Sequence, residues 1–183
     1  MSCRSAILID NFLDQNKFDN LSAKVAASTA YNTTTVQDLR DDLFTEVYTA
    51  VFDRLKEIGL HQPHFDESVK LFGYNQFRPA NEGYGNFNGP HFDHGGYVFY
   101  IHPHWDESWE GKIKITNADE EEYRNGIYAK PNRFIWIDPG TYHDVTTTAS
   151  NTTHARVANI AFLGGDIHVD PSGISFINIT TTT

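Results

Sequence analysis

The apolar residues change period partway along the chain, and that change limits what it can fold into. Leu39, Leu43, Val47, Val51, Leu55 and Ile58 recur every three or four positions. They form one stripe of a helix over about residues 36–58, which Gly59 stops. An earlier helix over about 14–28, capped by Asp14, sets Phe18, Leu21 and Val25 at the same spacing. From about residue 69 the apolar runs become short and are bounded by polar turns. Strands are expected at 69–77, 96–102, 111–116, 133–137, 155–163 and 175–179, with one more at 6–9. In the first of these, Leu71, Gly73, Asn75 and Phe77 share one face, and Phe72, Tyr74 and Gln76 the other. Helices followed by short strands predict an α+β fold built on a double-sheet jelly roll. A helical support at about 14–58 then carries a strand-rich core at about 69–179. A chain of 183 residues, 39% hydrophobic, can bury one core, so one domain spanning 1–183 is expected.

The chemistry concentrates in Gly89-Pro90-His91-Phe92-Asp93-His94-Gly95-Gly96. Pro90 biases Gly89 toward extended backbone. In a strand, His91 and Asp93 would project together, with Phe92 turned away. Gly95-Gly96 can end the strand and reverse the chain. An imidazole beside a carboxylate is two-thirds of a 2-His-1-carboxylate facial triad, which holds Fe(II) and leaves positions open; zinc would also bind such a set. The best third ligand is His143, reached from the strand 133–137 through a turn at Pro139-Gly140. Beyond it, Arg156 and Ala158 share a face of the strand 155–163. His94 faces away from Asp93 if its strand continues. His102 and His104 share a face and could hold a metal in another architecture. His154 has the parity of Arg156 and could line a pocket. His61 and His64 lack a matching carboxylate and read as surface residues. Residues 78–88, rich in Gly and Asn with Tyr84 and Phe87 between, read equally as a substrate lid or as an ordinary exposed loop.

His91-x-Asp93, then His143, then Arg156 resembles the ordered motif of the 2-oxoglutarate/Fe(II)-dependent dioxygenase superfamily. The connecting segments resemble its prolyl 4-hydroxylase branch. Tyr100-Ile101-His102-Pro103-His104-Trp105 is similar to that branch's Tyr-Leu-Asn-x-x-Trp, and residues 109–115 to its Gly-Gly strand. Residues 133–137 with Tyr142-His143-Asp144-Val145 resemble the strand leading to its His-Glu-Val ligand. Residues 7–13 are similar to its opening strand. The resemblance implies a cupin-like double-stranded β-helix, with N-terminal helices against its larger sheet. It implies Fe(II) held by His91, Asp93 and His143, and 2-oxoglutarate anchored through its far carboxylate by Arg156 and Tyr100. Dioxygen is then the oxidant, ascorbate a stimulant, and succinate a product. The hydroxylated C–H would be that of a prolyl residue in a protein or peptide, with Tyr84 to Phe87, Trp105 and Trp109 as apolar walls. Four features depart from the pattern. His102 stands for Asn, Gly111-Lys112 stands for Gly-Gly, and Phe77 lacks the hydroxyl of a tyrosine often found near it. Arg156 also follows His143 by 13 positions, a longer interval that an enlarged turn at 146–153 explains.

A net charge of −10 with no Lys/Arg cluster makes nucleic acid a poor partner, and a nucleic-acid demethylase would need a basic groove. One cysteine, Cys3, permits no internal disulfide and fits a reducing interior. No apolar run is long enough to span a bilayer, and the first ten residues lack a signal-peptide core. A soluble cytoplasmic protein is expected. Two other readings keep the fold. One is a non-catalytic jelly-roll binding module. The other is a 2-oxoglutarate oxygenase acting on another side chain, a free amino acid or a small metabolite.

Overall fold

A computed structural model describes residues 4–80, 90–165 and 174–178. Strand β1 (Arg4–Ile9) leads into α1 (Gln15–Ala27), whose first turn is closed by Asp14 accepting from the Asn16 and Lys17 amides. Strand β2 (Gln37–Leu39), α2 (Asp42–Glu57) and α3 (Phe65–Phe72) follow. The strand-rich part comprises β3 (Gly73–Arg78), β4 (Gly96–Tyr100), β5 (Ile113–Ile115), β6 (Phe134–Ile137), β7 (His143–Val145), β8 (Arg156–Phe162) and β9 (Ser175–Asn178). A short helix, α4 (Glu121–Asn125), sits between β5 and β6.

Seven strands form one antiparallel sheet in the order β2-β3-β8-β4-β6-β1-β9, and β5 pairs with β7 in a second, smaller sheet. The large sheet is buried on both faces, so its central strands are almost continuously apolar. Phe134 and Trp136 of β6, Tyr97 and Phe99 of β4, and Val157 and Ala161 of β8 pack against Phe18, Leu21, Val47, Val51 and Leu55 of the helices. Ile135, Ile137, Tyr100 and Ala158 take the other face, with Ile113 and Ile115 of the small sheet. The N-terminal helices thus cover one side, and the small sheet covers the other. No helix among the described residues is long and apolar enough to cross a membrane.

Two expected boundaries need correction. The helix over 36–58 begins only at Asp42, where Asp41 accepts from the Phe44 amide at 2.9 Å. Leu39, which looked like the first residue of its stripe, belongs to β2 and pairs with Asn75 at the sheet edge. Its four-residue offset from Leu43 imitates helical spacing. Residues 69–72 are likewise the last turn of α3, with Phe65 and Val69 buried four apart and Leu71 and Phe72 left exposed. The strand-rich part therefore starts at Gly73. Gly95-Gly96 opens β4 rather than ending a strand. A Cβ on Gly96 would lie 2.2 Å from the Ala161 carbonyl, so only glycine admits this approach of β4 to β8.

Candidate metal centre and anion pocket

His91 and His143 are set opposite each other by an antiparallel bridge. The His91 amide donates to the His143 carbonyl at 3.0 Å, and the His143 amide donates back at 2.9 Å. Their rings lie 4.5 Å apart. Two residues past His91, Asp93 turns a carboxylate oxygen to within 3.7 Å of His91 Nε2 and 3.4 Å of His143 Nε2. One ligand atom from each of the three lies within 4.8 Å of the others. The expected strand through His91 and Asp93 is reduced to the single bridge at His91; Asp93 follows in irregular chain.

The donor chemistry of this cluster fits a cation. His143 Nδ1 lies 2.9 Å from the Thr141 carbonyl, which can only accept, so Nδ1 carries the proton. A neutral His143 then presents a lone pair at Nε2, facing an anionic oxygen of Asp93. Two acceptors facing each other are stabilised by a shared proton or by a metal ion. With a proton on Nε2, the hydrogen bond from His143 holds the Asp93 carboxyl below its ordinary range, against the opposing effect of its partial burial. The deprotonated form is the one that ligates. Fixing a ligand histidine through its second nitrogen is the usual support of a metal site.

The cluster opens into a cavity of about 420 Å³ between the two sheets. Val98, Ile113, Ile137, Val145 and Ile160 make its walls apolar. At its inner side lies Arg156, 2% exposed. Its Nη1 donates to the Gly111 carbonyl at 2.7 Å, while its Nε is buried without a hydrogen-bond partner. The Tyr100 ring lies 5.7 Å from the Arg156 guanidinium carbon, and the Tyr100 hydroxyl is also buried and unpartnered. Tyr100 itself lies beside Arg156 and does not line the cavity. A buried guanidinium edge and a buried phenol beside it, both short of an acceptor, are what a carboxylate could satisfy. The donor set therefore suits a carboxylate beside a metal ion.

The remaining histidines lie outside this constellation. His102 is fully buried as a clip: the Val157 amide donates to its Nδ1 at 3.1 Å, and its Nε2 donates to the Ala129 carbonyl at 2.8 Å. His104 is exposed and packs edge-on against Trp109. His154 stacks on Tyr31 rather than lining the cavity. Trp105 and Trp109 pack in the core beneath the small sheet and do not reach the cavity. Tyr84 to Phe87 lie outside the described residues. The Thr-rich turn after His143 has a visible task. Thr148 bridges Glu110 and donates from its hydroxyl to the Pro79 carbonyl at 2.5 Å, tying the end of β3 to the Gly111 segment that grips Arg156.

Sequence reasoning missed two features. Phe77 points into the core on the helix side, so the residue facing the cavity ahead of Pro79 is Arg78. Phe92 and Tyr142, each adjacent to a candidate ligand, lie with tilted rings 5.3 Å apart and are 58% and 43% exposed. A sequence signal existed only for the second: two large aromatic residues flank the ligands.

No protein-family model matches the chain, and no curated protein matches it. Solved structures do. One is the viral collagen prolyl hydroxylase of Paramecium Bursaria Chlorella virus-1 in its 2-oxoglutarate complex (TM-score 0.52, 12% identity, covering 87% of this chain and 95% of that one). Another is a prolyl hydroxylase of Trichoplax adhaerens with a hypoxia-inducible-factor peptide fragment (TM-score 0.53, 10% identity, covering 88% and 84%). A third is NgTET1 in complex with 5mC DNA (TM-score 0.51, 11% identity, covering 87% and 72%). The chain shares the fold of prolyl hydroxylases and other 2-oxoglutarate oxygenases.

Proposed function

We propose that this protein is an Fe(II)- and 2-oxoglutarate-dependent dioxygenase that hydroxylates an unactivated C–H, with a prolyl residue of a protein or peptide as substrate. The carrying observation is the meeting of His91, Asp93 and His143 at the mouth of a cavity whose inner side holds the buried Arg156. His91, Asp93 and His143 would hold the metal on one face and leave its other positions open toward the cavity. Arg156, with the Tyr100 hydroxyl beside it, would receive the far carboxylate of 2-oxoglutarate and so aim the keto-acid end at the metal. When bound, the metal with 2-oxoglutarate and dioxygen would supply the oxidising power, one oxygen atom passing to the substrate and the other to succinate, with the C1 carboxylate lost as carbon dioxide. The apolar walls exclude water, which keeps that power directed at the substrate. In this reading the two sheets are the halves of a double-stranded β-helix, and β7 carries the last ligand.

The prolyl assignment rests on the resemblance of the segments around the ligands and on the exposed Phe92–Tyr142 pair. Large apolar side chains in water beside a metal site form a platform for a flat or cyclic apolar group. The shared fold includes a protein that binds DNA, so fold alone does not choose the substrate. A net charge of −10 favours a peptide over a polyanion. A reducing intracellular location belongs to the same reading, since Fe(II) must persist and Cys3 is the only cysteine.

The test is succinate formation with Fe(II), 2-oxoglutarate and ascorbate, followed by mass spectrometry of proline-containing peptides for one added oxygen atom. Turnover with a peptide and loss of turnover on replacing its proline support the proposal. Failure of the metal-loaded protein to bind 2-oxoglutarate refutes it.

A further inference from the structure

Arg78 ends β3 and Arg156 begins β8, and the two are direct partners in the antiparallel register. Partners of this kind carry their side chains together on one face. Both residues are 2% exposed, and both line the cavity beside the triad. Like charges directly opposite each other weaken strand pairing, and withdrawal from water raises the cost of each. A guanidinium does not escape that cost by losing its proton at working pH. The pair is also set in an acidic chain of net charge −10, so it is a local concentration of positive charge.

The Arg156 side chain and the backbone just after Arg78 are both tied to the same region. Arg156 Nη1 is tied to the Gly111 carbonyl at 2.7 Å. The end of β3 is tied through Pro79 to Thr148, whose methyl group would lie 3.3 Å from a Cβ on Gly111. One short segment therefore links the Arg156 guanidinium to the strand end that carries Arg78. Such an arrangement is pre-organised for a ligand that offers several acceptors at one end. A carboxylate has two oxygens and about four acceptor sites, enough for one edge of each guanidinium.

We infer that Arg78 and Arg156 form a two-guanidinium clamp on the far carboxylate of a dicarboxylate cosubstrate, with Arg78 the residue that sets selectivity for a diacid over a monoacid. This inference rests on the 2-oxoglutarate reading above. Arg156 supplies the edge nearer Tyr100, and Arg78 supplies the edge on the β3 side.

The experiment is isothermal titration calorimetry of the Mn(II)-loaded protein with 2-oxoglutarate and with 2-oxobutanoate, which keeps the keto-acid end and lacks the far carboxylate. The metal-free protein is titrated in parallel with glutarate and butyrate, which removes the metal from the comparison. Wild type, Arg78→Gln, Arg78→Lys and Arg156→Gln are compared. Arg78→Gln is expected to weaken 2-oxoglutarate on the order of tenfold or more, as for a lost charge-assisted bond, and to leave 2-oxobutanoate within about twofold. Arg78→Lys, which keeps the charge but not the fork, is expected to fall between and serves if the Gln variant does not fold. Equal weakening of diacid and monoacid overturns the clamp, as does no weakening in the Arg78 variants while Arg156→Gln weakens the diacid. Both of those results leave the 2-oxoglutarate reading standing. A wild type that binds neither keto acid overturns the reading and the clamp together.

Discussion

Mild acid is expected to destabilise the fold at His102 before ordinary carboxylates titrate. The ring is fully buried; Nε2 donates to the Ala129 carbonyl, and Nδ1 lies 3.1 Å from both the amide nitrogen and the carbonyl oxygen of Val157. The cost of charging the ring therefore comes from its burial, not from its hydrogen bonds. Burial pushes its pKa down from 6.5 to about 3, with the Ala129 bond acting against the shift and the nearby Arg156 charge adding to it. In the unfolded chain the ring titrates at its ordinary value. Between those two values the unfolded state binds the extra proton, so stability falls as pH falls. At about pH 5 the loss is about 2 kcal/mol, and it approaches roughly 5 kcal/mol near pH 3, at about 1.36 kcal/mol per unit. The assay is urea unfolding of wild type and His102→Asn at about pH 8 and about pH 5. His154, whose pKa burial also lowers, is present in both proteins and cancels from the difference. Wild type should lose about 2 kcal/mol more than the variant over this interval. The comparison reads the change with pH, so any fixed cost of the substitution drops out. Parallel pH dependences would refute a buried neutral His102.

Removing a candidate ligand separates binding from folding. His143→Ala and Asp93→Ala should abolish stoichiometric Fe(II) binding, measured by metal analysis after desalting, and with it succinate formation, while circular dichroism shows a folded chain. Retained turnover in either refutes the triad. Arg156→Met should weaken 2-oxoglutarate by about 2–3 kcal/mol, as for a lost charge-assisted bond, and an unchanged Kd by calorimetry would remove Arg156 from the site. Gly111→Ala places a side chain at φ +67°, 3.1 Å from Arg156 Cδ. It should cost about 1 kcal/mol of stability from the backbone alone and raise the 2-oxoglutarate Kd, whereas a variant with wild-type Kd and unfolding midpoint would show that the Gly111–Arg156 contact does not matter. Phe92→Ala, at a 58% exposed position, should leave the thermal midpoint within a degree or two and raise KM for the peptide. An unchanged KM would move the substrate contact elsewhere.

Much of the frame was legible because local signals and burial agreed. Asp14 capped α1 as its side chain allowed, and Phe18, Leu21 and Val25 faced the sheet. The runs at β4, β6 and β8 were apolar on both faces because the sheet is covered on both sides. The triad was legible for a different reason. A histidine and an aspartate two apart could be recognised locally, and His143 by the strand and turn that deliver it. What failed were segments whose spacing fits two structures. Leu39 is four residues from Leu43 and lies in a strand. Val69 and Leu71 alternate like a strand, yet they end α3, where only Val69 is buried.

The same ambiguity, one residue wide, decides how the cavity is charged. In β3, alternation alone allows either Phe77 or Arg78 to face the metal side. A phenylalanine looks at home in any core, and an arginine at a strand end ordinarily reaches water. Read singly, both residues permit either register. The pairing resolves it: Phe77 lies opposite Val157 and Arg78 opposite Arg156. Val157 must face the helices if Arg156 faces the cavity, and Phe77 goes with it. Placing one arginine in the pocket therefore brings the second with it. A cross-strand contact between residues 78 positions apart is a tertiary fact, so the pocket's second cation could be found only once β3 and β8 were side by side.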